Sequence, residues 1–471
     1  MTPARPHADL LHAVAAPGCP ACRTGEHTLD RYEFGFVYEH HGDRHTLQNL
    51  RDSLGFCPAH TRRLLARREA PWVMRVAYAD VVAAARDELA SRPPHRARRP
   101  CPMCESAART EGTLLRALAA ALDDGGVAEG YAASGGCCLP HLRRALGSAD
   151  LDEGLWLLQV FEQRLGNAAD PDHLIECLAG RDADIAARAD ARARLRTVGA
   201  NLTPNDRPEV LAALHGRLRV DACPACLEGG LAETRHLEWM AAECAARPSR
   251  LAWDGPWLCP QHLHDLASLD PDAGRLMARW AQSRLEMELA RLRDRLSLVP
   301  RRGVRARARA AASQFWRRGQ PADPFGDRAL LAAEELFHRH PTLAEALKPF
   351  VGDRPCSTCR AGWIAETRFA VLLAAALDDR PTARVYEESH GLCLRHSLGT
   401  DRAPGPALIR DQLRTRLAIL AWELEEAGRK SSWSGRYEAR WNEATAWLRA
   451  PAFLDGRVFL GGPPPLAGQA D

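Results

Sequence analysis

Twelve of the fifteen cysteines in this chain of 471 residues belong to one recurring ligand pattern. A Cys-x-x-Cys pair is followed, 33 to 35 residues after its second cysteine, by a Cys-x-x-His pair. Thiolate sulfur and imidazole nitrogen at such short spacings are ligands of tetrahedral metal ions. The ligands of the four copies, named repeats 1 to 4 in chain order, are Cys19, Cys22, Cys57 and His60; Cys101, Cys104, Cys138 and His141; Cys223, Cys226, Cys259 and His262; and Cys356, Cys359, Cys393 and His396.

The copies also share sequence between their ligand pairs. LAAALDD occurs at Leu118–Asp124 and at Leu373–Asp379, each time 14 residues after the second cysteine of the repeat. AETR occurs at Ala232–Arg235 and at Ala365–Arg368, each time six residues after that cysteine. Self-similarity at a fixed period is typical of repeat architectures, so we expect four related modules.

The glutamates of the AETR segments, Glu233 and Glu366, recur at one offset from their cysteines. A charged residue that recurs on a repeat scaffold indicates a structural role. We expect an ion pair with the nearby Arg235 or Arg368, or a place beside the ligands of the metal, where the carboxylate would support them.

Most ligand pairs are predicted to open a helix. A proline directly follows the first cysteine in five of the eight pairs, and proline is favoured at the first position of a helix. The free N–H groups and the positive dipole end of a helix N-terminus would stabilise thiolates. We therefore expect each repeat to be a helical hairpin whose two N-termini are clamped by one ion.

The ligand set favours zinc, four ions in all, because three thiolates and one imidazole suit a closed tetrahedral site. An iron–sulfur cluster remains as an alternative, as do redox-active thiols without metal. Four protein ligands leave no open position for water or substrate, which favours a structural metal over a catalytic one. No phosphate-binding, dinucleotide-binding, serine-hydrolase or zinc-protease motif occurs, so no catalytic residue is assigned and an enzyme is not the favoured interpretation.

The composition, with 46% hydrophobic and 26% charged residues, is typical of a soluble globular protein. The formal net charge is only +3, whereas nucleic-acid-binding proteins usually carry a large excess of basic residues. The arginine-rich stretch 301–320 could bind nucleic acid or an acidic protein face, although a solvated linker is the commoner meaning of such a run. No apolar run is long enough to span a membrane, and we expect a cytoplasmic protein whose cysteines serve a metal rather than disulfides.

The fold predicted from these patterns is all-α, a tandem array of four helical modules. Apolar residues at helical spacing predict helices over Val73–Leu89, Leu155–Leu165 and Leu276–Leu296. The predicted boundaries are 13–92, 101–200, 209–300 and 325–430 for the modules, 301–324 for a basic linker, and 431–471 for a C-terminal tail.

The three cysteines outside the pattern have ordinary interpretations. Cys137 adjoins the ligand Cys138 and could be a spare ligand, although a packed side chain is the commoner meaning. Cys177 and Cys244 lie in apolar helical sequence and are expected to be buried as small hydrophobic residues.

Repeat 1 resembles a bacterial family known as a domain of unknown function. The resemblance rests on Cys-Pro-x-Cys, about 34 residues, and then Gly-Phe-Cys-x-x-His, and on a Trp-rich tail that Arg440 to Gly456 resembles. It implies a helical metal-binding module and no activity. Repeat 4 departs from the pattern, because Ser357 replaces the proline.

These features favour a non-enzymatic scaffold or adaptor, stabilised by zinc, that binds one or more partner proteins. Repeat arrays present extended surfaces to partners. The alternative is a redox, electron-transfer or sensor protein that uses iron–sulfur clusters or releasable zinc.

Overall fold

The structure, a computed structural model, describes residues 5–90, 99–149, 151–168, 170–197, 207–248, 258–297, 356–399 and 406–459. Every regular element in these ranges is helical, which confirms the all-α prediction. The three predicted helices are present within α5, α9 and α15 of the numbering given below. None of the described helices is long and apolar enough to cross a membrane.

The described residues contain twenty α-helices. They are α1 Arg5–Val14, α2 Pro20–Gly35, α3 Arg44–Ser53, α4 Pro58–Leu65, α5 Ala70–Ala90, α6 Pro102–Ala120, α7 Gly125–Ala133, α8 Leu139–Leu146, α9 Leu151–Gly166, α10 Pro171–Ala179, α11 Ile185–Thr197, α12 Arg207–Leu218, α13 Pro224–Ala246, α14 Pro260–Leu269, α15 Pro271–Ser297, α16 Ser357–Ala376, α17 Arg380–Glu388, α18 Leu394–Gly399, α19 Pro406–Lys430 and α20 Ala446–Leu454. A π-helical turn, Phe36–His40, follows α2, and short 3₁₀ turns, Asn442–Thr445 and Gly456–Phe459, flank α20.

The chain divides into two compact units, each assembled from three stretches of sequence. Unit A comprises 1–26, 109–182 and 243–356, and unit B comprises 27–108, 183–242 and 357–471. The four predicted module boundaries remain a prediction. The predicted basic linker, 301–324, lies outside the described residues, as does the tail beyond residue 459.

Unit B has a core built from helices far apart in sequence. α5 packs against both α19 and α20. Its apolar face contributes Met74, Tyr78 and Val81, which are buried in one cluster with Leu417 and Leu454. Helices that bury such a stripe against each other are held mainly by the hydrophobic effect. This core positions α4, which begins at one of the ligand pairs.

Unit A is organised around α10. This helix packs against α8, α14 and α15, and α14 also packs against α15. Leu174, Leu142 and Leu266 are buried on these helices. Two of the helices, α8 and α14, begin at ligand pairs, so the packing of α10 fixes ligands from distant repeats in one unit.

Candidate metal centres

The sixteen predicted ligands come together in four groups of three cysteines and one histidine, and in each group the ligand atoms lie within 4.8 Å of one another. The grouping differs from the one expected, because each Cys-x-x-Cys lies with the Cys-x-x-His of the neighbouring repeat. The expectation that each repeat clamps its own ion is therefore corrected. The groups are I, Cys19, Cys22, Cys138 and His141; II, Cys57, His60, Cys101 and Cys104; III, Cys223, Cys226, Cys393 and His396; and IV, Cys259, His262, Cys356 and Cys359.

All eight ligand pairs open a helix, whereas the sequence predicted this for most of them. In each pair the first cysteine directly precedes the helix, and the second ligand lies in its first turn. The caps repeat closely: Cys57 has φ −68° and ψ 162°, Cys138 −67° and 162°, and Cys259 −68° and 164°. None of these three cysteines makes a side-chain capping hydrogen bond. The sulfur is therefore free to face a metal ion beside the positive end of the helix dipole.

The separations of the ligand atoms suit one tetrahedral ion per group. With metal–sulfur distances of about 2.3 Å and metal–nitrogen distances of about 2.0–2.1 Å, a tetrahedron places its sulfurs about 3.8 Å apart and each sulfur about 3.6 Å from the nitrogen. In group I the Cys22 and Cys138 sulfurs are 3.7 Å apart, and the three sulfurs lie 3.2–3.5 Å from His141 Nδ1. Groups II and III match, with sulfur–sulfur distances of 3.7 and 3.8 Å and sulfur–nitrogen distances of 3.3–3.5 Å.

A cluster fits these distances less well than a single ion. An iron–sulfur cluster interposes several irons and sulfides between its ligands, which holds ligands of different irons well apart. Here all four ligand atoms of each group lie within 4.8 Å of one another, which leaves room for one ion between them. The same side chains also leave no open coordination position at a tetrahedral ion.

A glycine turn leads into three of the four Cys-x-x-His pairs. Gly55 has a φ of 97°, and a Cβ there would lie 3.0 Å from the Tyr78 hydroxyl oxygen, so the position needs glycine. The same hydroxyl accepts a hydrogen bond from the Phe56 N–H at 3.4 Å. The turn recurs with Gly136, Tyr131 and Cys137, and with Gly391, Tyr386 and Leu392.

The neighbouring thiols of a group differ in pKa, so that some ionise readily and others stay protonated. Burial opposes ionisation of Cys19, yet hydrogen bonds from Cys137 and Cys138 hold its pKa well below the usual value. In group II, hydrogen bonds from Cys104 and Cys57 lower the pKa of Cys101 to about 3, and the same contacts raise the pKa of Cys104. A divalent cation would relieve this competition by displacing the remaining thiol protons.

A carboxylate, partly buried in group I and buried in group III, contacts the outer nitrogen of the histidine. Glu111 Oε2 lies 3.3 Å from His141 Nε2, and Glu366 Oε2 lies 3.4 Å from His396 Nε2. In both histidines the other nitrogen, Nδ1, faces the sulfurs. A carboxylate in this place fixes the tautomer and the ring orientation of a metal-bound histidine. Glu366 therefore lies beside a ligand of the metal, one of the two roles expected for it.

The charge of Glu366 is balanced by arginines that the sequence did not indicate. Arg395 Nη2 lies 2.6 Å from Oε2, and Arg457 Nη2 lies 2.6 Å from Oε1. Burial alone would raise the pKa of Glu366, but His396 and these two arginines lower it to about 2. Arg368, proposed from its proximity in sequence, is not a partner.

Glycines make room for these carboxylates where ligand helices meet. A Cβ at Gly25 would lie 2.3 Å from Glu111 Oε1, and one at Gly229 would lie 2.6 Å from Glu366 Cγ. A Cβ at Gly362 would likewise overlap Glu233 Oε1. Each glycine follows the second cysteine of its pair by three residues, and each glutamate follows by seven. Sequence reasoning missed the glycines and Glu111, although this common offset could have found them.

In each unit a Gly-Arg segment lies beside ligands of one group and accepts a hydrogen bond from a residue two positions after a ligand histidine of another group. In unit A, a Cβ at Gly180 would lie 3.2 Å from the Cys138 sulfur and 3.3 Å from the Cys22 sulfur, both in group I. The carbonyl oxygen of Gly180 accepts a hydrogen bond at 2.8 Å from Nε2 of His264, two residues after the group IV ligand His262.

Unit B repeats the arrangement with Gly456 and Arg457. A Cβ at Gly456 would lie 2.6 Å from the Cβ of Cys223 and 2.9 Å from the sulfur of Cys226, both in group III. The carbonyl oxygen of Arg457 accepts a hydrogen bond at 3.1 Å from Arg62, two residues after the group II ligand His60. The correspondence of the two segments was not visible from the ligand motifs.

The remaining cysteines are buried, as expected. Cys137 is fully buried and its thiol contacts Cys19. The equivalent residues in repeats 1 and 4 are Phe56 and Leu392, which cannot bind a metal ion. Cys177 and Cys244 are also buried. The structure groups none of these three with a full ligand set.

No family model, no curated protein and no solved structure matches this chain. The resemblance of repeat 1 to a bacterial family therefore remains a prediction.

Proposed function

We propose that the chain is a zinc-stabilised helical protein that acts as a non-enzymatic scaffold or adaptor. The observation that carries the proposal is the set of four groups, each with three thiols and one imidazole at the spacing of a single tetrahedral ion. Zinc is the ion best suited to this donor set. In a cell it would close each group with protein ligands alone, which favours a structural role.

The placement of the groups supports that role. Each group ties together helix starts from two repeats. In each unit a Gly-Arg segment contacts ligands of one group and a residue two positions after a ligand histidine of another. Structural zinc contributes on the order of 10 kcal/mol of apparent folding free energy per ion. The use of twelve of the fifteen cysteines in ligand groups supports a reducing compartment, and we propose a cytoplasmic location.

Exposed aromatic side chains support a partner-binding role. Trp433, Tyr437 and Trp441 are 79%, 84% and 76% exposed, within one turn of unit B. Trp, Tyr and Arg dominate the energetics of protein–protein interfaces. Such a concentration of exposed rings has no role in the core of this unit.

Metal analysis tests the proposal directly. The full chain is purified anaerobically without added metal, and zinc, iron and sulfide are measured per chain. About four zinc ions and no iron are expected from the four closed ligand sets. A chelator should then remove helical signal together with zinc. Iron with sulfide, or helical structure unchanged after zinc removal, would contradict the structural-zinc proposal.

A second candidate, a redox sensor that releases zinc, is favoured by one observation. Cys359 is exposed, whereas the other cysteines are buried or partly buried. Exposed thiolates are the ones most readily oxidised. Zinc release at low peroxide concentration, with Cys359 oxidised before the other ligand cysteines in a peptide map, would support a sensor. Zinc release without preferential oxidation of Cys359 would count against it.

A further inference from the structure

A small pocket in unit B combines two aromatic walls with two arginines. Trp72 and Trp447 line it, together with Arg75 and Arg440, and its volume is about 180 Å³. Ligand pockets for small molecules or cofactors are usually about 300–1,000 Å³, so this one suits a single side chain. It lies at the end of α19, beside the turn that carries the exposed aromatic rings.

Arg75 is a buried cation without a carboxylate partner in the described structure. Its side chain is only 8% exposed. One terminal nitrogen donates to the Ala427 carbonyl oxygen at 2.7 Å and to Ser431 Oγ at 2.8 Å, and the guanidinium lies 4.3 Å from the centre of the Trp72 ring. Burial, and then repulsion by Arg440, lower the pKa of Arg75. A buried charge is costly unless an opposite charge compensates it.

The one carboxylate that lines the pocket does not supply this compensation. Glu443 Oε1 lies 2.8 Å from Lys430 Nζ and accepts the Trp441 N–H at 2.9 Å. Arg440 makes no ion pair in the described structure. The pocket therefore presents two guanidinium groups to any ligand that enters it.

We propose that this pocket binds an acidic segment of a partner protein, with a carboxylate between Arg75 and Arg440 and a neighbouring apolar side chain against Trp72 and Trp447. The proposal rests on the scaffold function and names the chemistry of its partner. Bidentate pairing with carboxylates and stacking on aromatic faces are the interactions for which arginine is suited.

A single carboxylate fits better than a polyanion because other cations beside the pocket are already paired. Arg429 is paired with both Glu426 and Glu438, and Lys430 with Glu443. These three glutamates would repel an extended phosphate backbone, whereas one inserted carboxylate would meet the guanidinium groups of Arg75 and Arg440.

A random dodecapeptide library displayed on phage tests the proposal with the full chain. The library is selected in parallel on zinc-loaded wild-type protein, on Arg440→Glu and on Trp72→Ala. The carboxylate introduced by Arg440→Glu would pair with Arg75 and occupy the pocket. The matched control is Arg384→Glu, because Arg384 is exposed and pairs only with Glu388 in its own helix.

Peptides enriched on wild-type and control protein should carry Asp or Glu beside an aromatic or aliphatic residue. Their synthetic forms should bind Arg440→Glu at least about tenfold more weakly, as expected when a desolvated charge pair is lost. No enrichment over Arg440→Glu, or enriched peptides without acidic residues, would overturn the proposal. Arg440-dependent binding of oligo-dT or of phosphatidylserine vesicles that exceeds peptide binding would overturn it in favour of a polyanion.

Zinc content and helical signal are measured for every variant before selection. If the chain carries iron instead of zinc, the scaffold proposal fails whatever the peptides do. If zinc is present and the peptides ignore Arg440, only the pocket assignment fails.

Discussion

Two double substitutions distinguish the observed grouping of ligands from grouping within each repeat. Cys22→Ser with His141→Ala removes two ligands of group I. Cys22→Ser with His60→Ala removes two ligands of repeat 1, but in the structure these belong to groups I and II. The first variant should lose one ion, and the second should lose two.

The magnitude follows from the ligand geometry. The Cys22 sulfur contributes one of four ligand atoms and lies 3.4 Å from His141 Nδ1 and 3.7 Å from the Cys138 sulfur. If roughly 10–16 kcal/mol of apparent binding free energy is shared among four ligands, each ligand contributes roughly 2.5–4 kcal/mol. Loss of one ligand then weakens binding roughly 10²- to 10³-fold.

The assay is zinc content after dialysis against a chelator whose strength is set between the affinities of the intact and three-ligand sites. Single Cys22→Ser protein is the reference and should lose one ion. The grouping is refuted if the Cys22/His141 variant loses two ions and the Cys22/His60 variant only one. Loss of all four ions from each variant would refute independent ligation.

Three further substitutions examine the surroundings of the ligands. Glu366→Gln should weaken zinc binding at one of the four sites about 10- to 100-fold, measured by chelator competition, because the histidine it contacts loses its charged partner. Gly456→Ala should destabilise unit B by about 1–3 kcal/mol in thermal unfolding, since its Cβ would overlap a ligand cysteine, whereas Gly42→Ala, with nothing within 4 Å, should not. Burial raises the pKa of Glu33, but hydrogen bonds from two arginines of α4 and the turn that follows it hold the pKa below its usual value. Glu33→Gln should therefore cost about 2 kcal/mol at neutral pH. That difference should shrink in denaturant titrations as the pH falls below about 4.3, the pKa of an unfolded glutamate, and an unchanged difference at pH 3 would contradict the pairing.

Local features of the structure were predictable because local chemistry decides them. Proline after the first cysteine, as in Pro58 and Pro260, marks the first residue of a helix in the structure. The residue types of the ligands required no knowledge of the fold. The contact of Glu366 with a ligand histidine was also accessible, since a recurring carboxylate near a metal motif has few roles.

The grouping of the ligand pairs was not predictable from spacing. All four Cys-x-x-Cys pairs are chemically equivalent, so about 34 intervening residues are compatible with closure within a repeat or between neighbours. Packing decides between them, and it involves contacts such as Gly25 with Glu111 and Gly229 with Glu366. These contacts join residues 86 and 137 positions apart, which no local pattern encodes.

Metal ligation and hydrophobic packing connect the sequence in different ways. Groups I and II take their ligands from residues 19–141, and groups III and IV take theirs from residues 223–396. The cores cross that division: in unit B α5 packs against α19 and α20, and in unit A α10 packs against α14 and α15. The metal ions would therefore hold each half of the sequence together, while the apolar faces of α5 and α10 need helices from the other half. Within the described residues the cores of both units take helices from both halves, so we expect the two halves to fold together even though each carries all the ligands for its own ions.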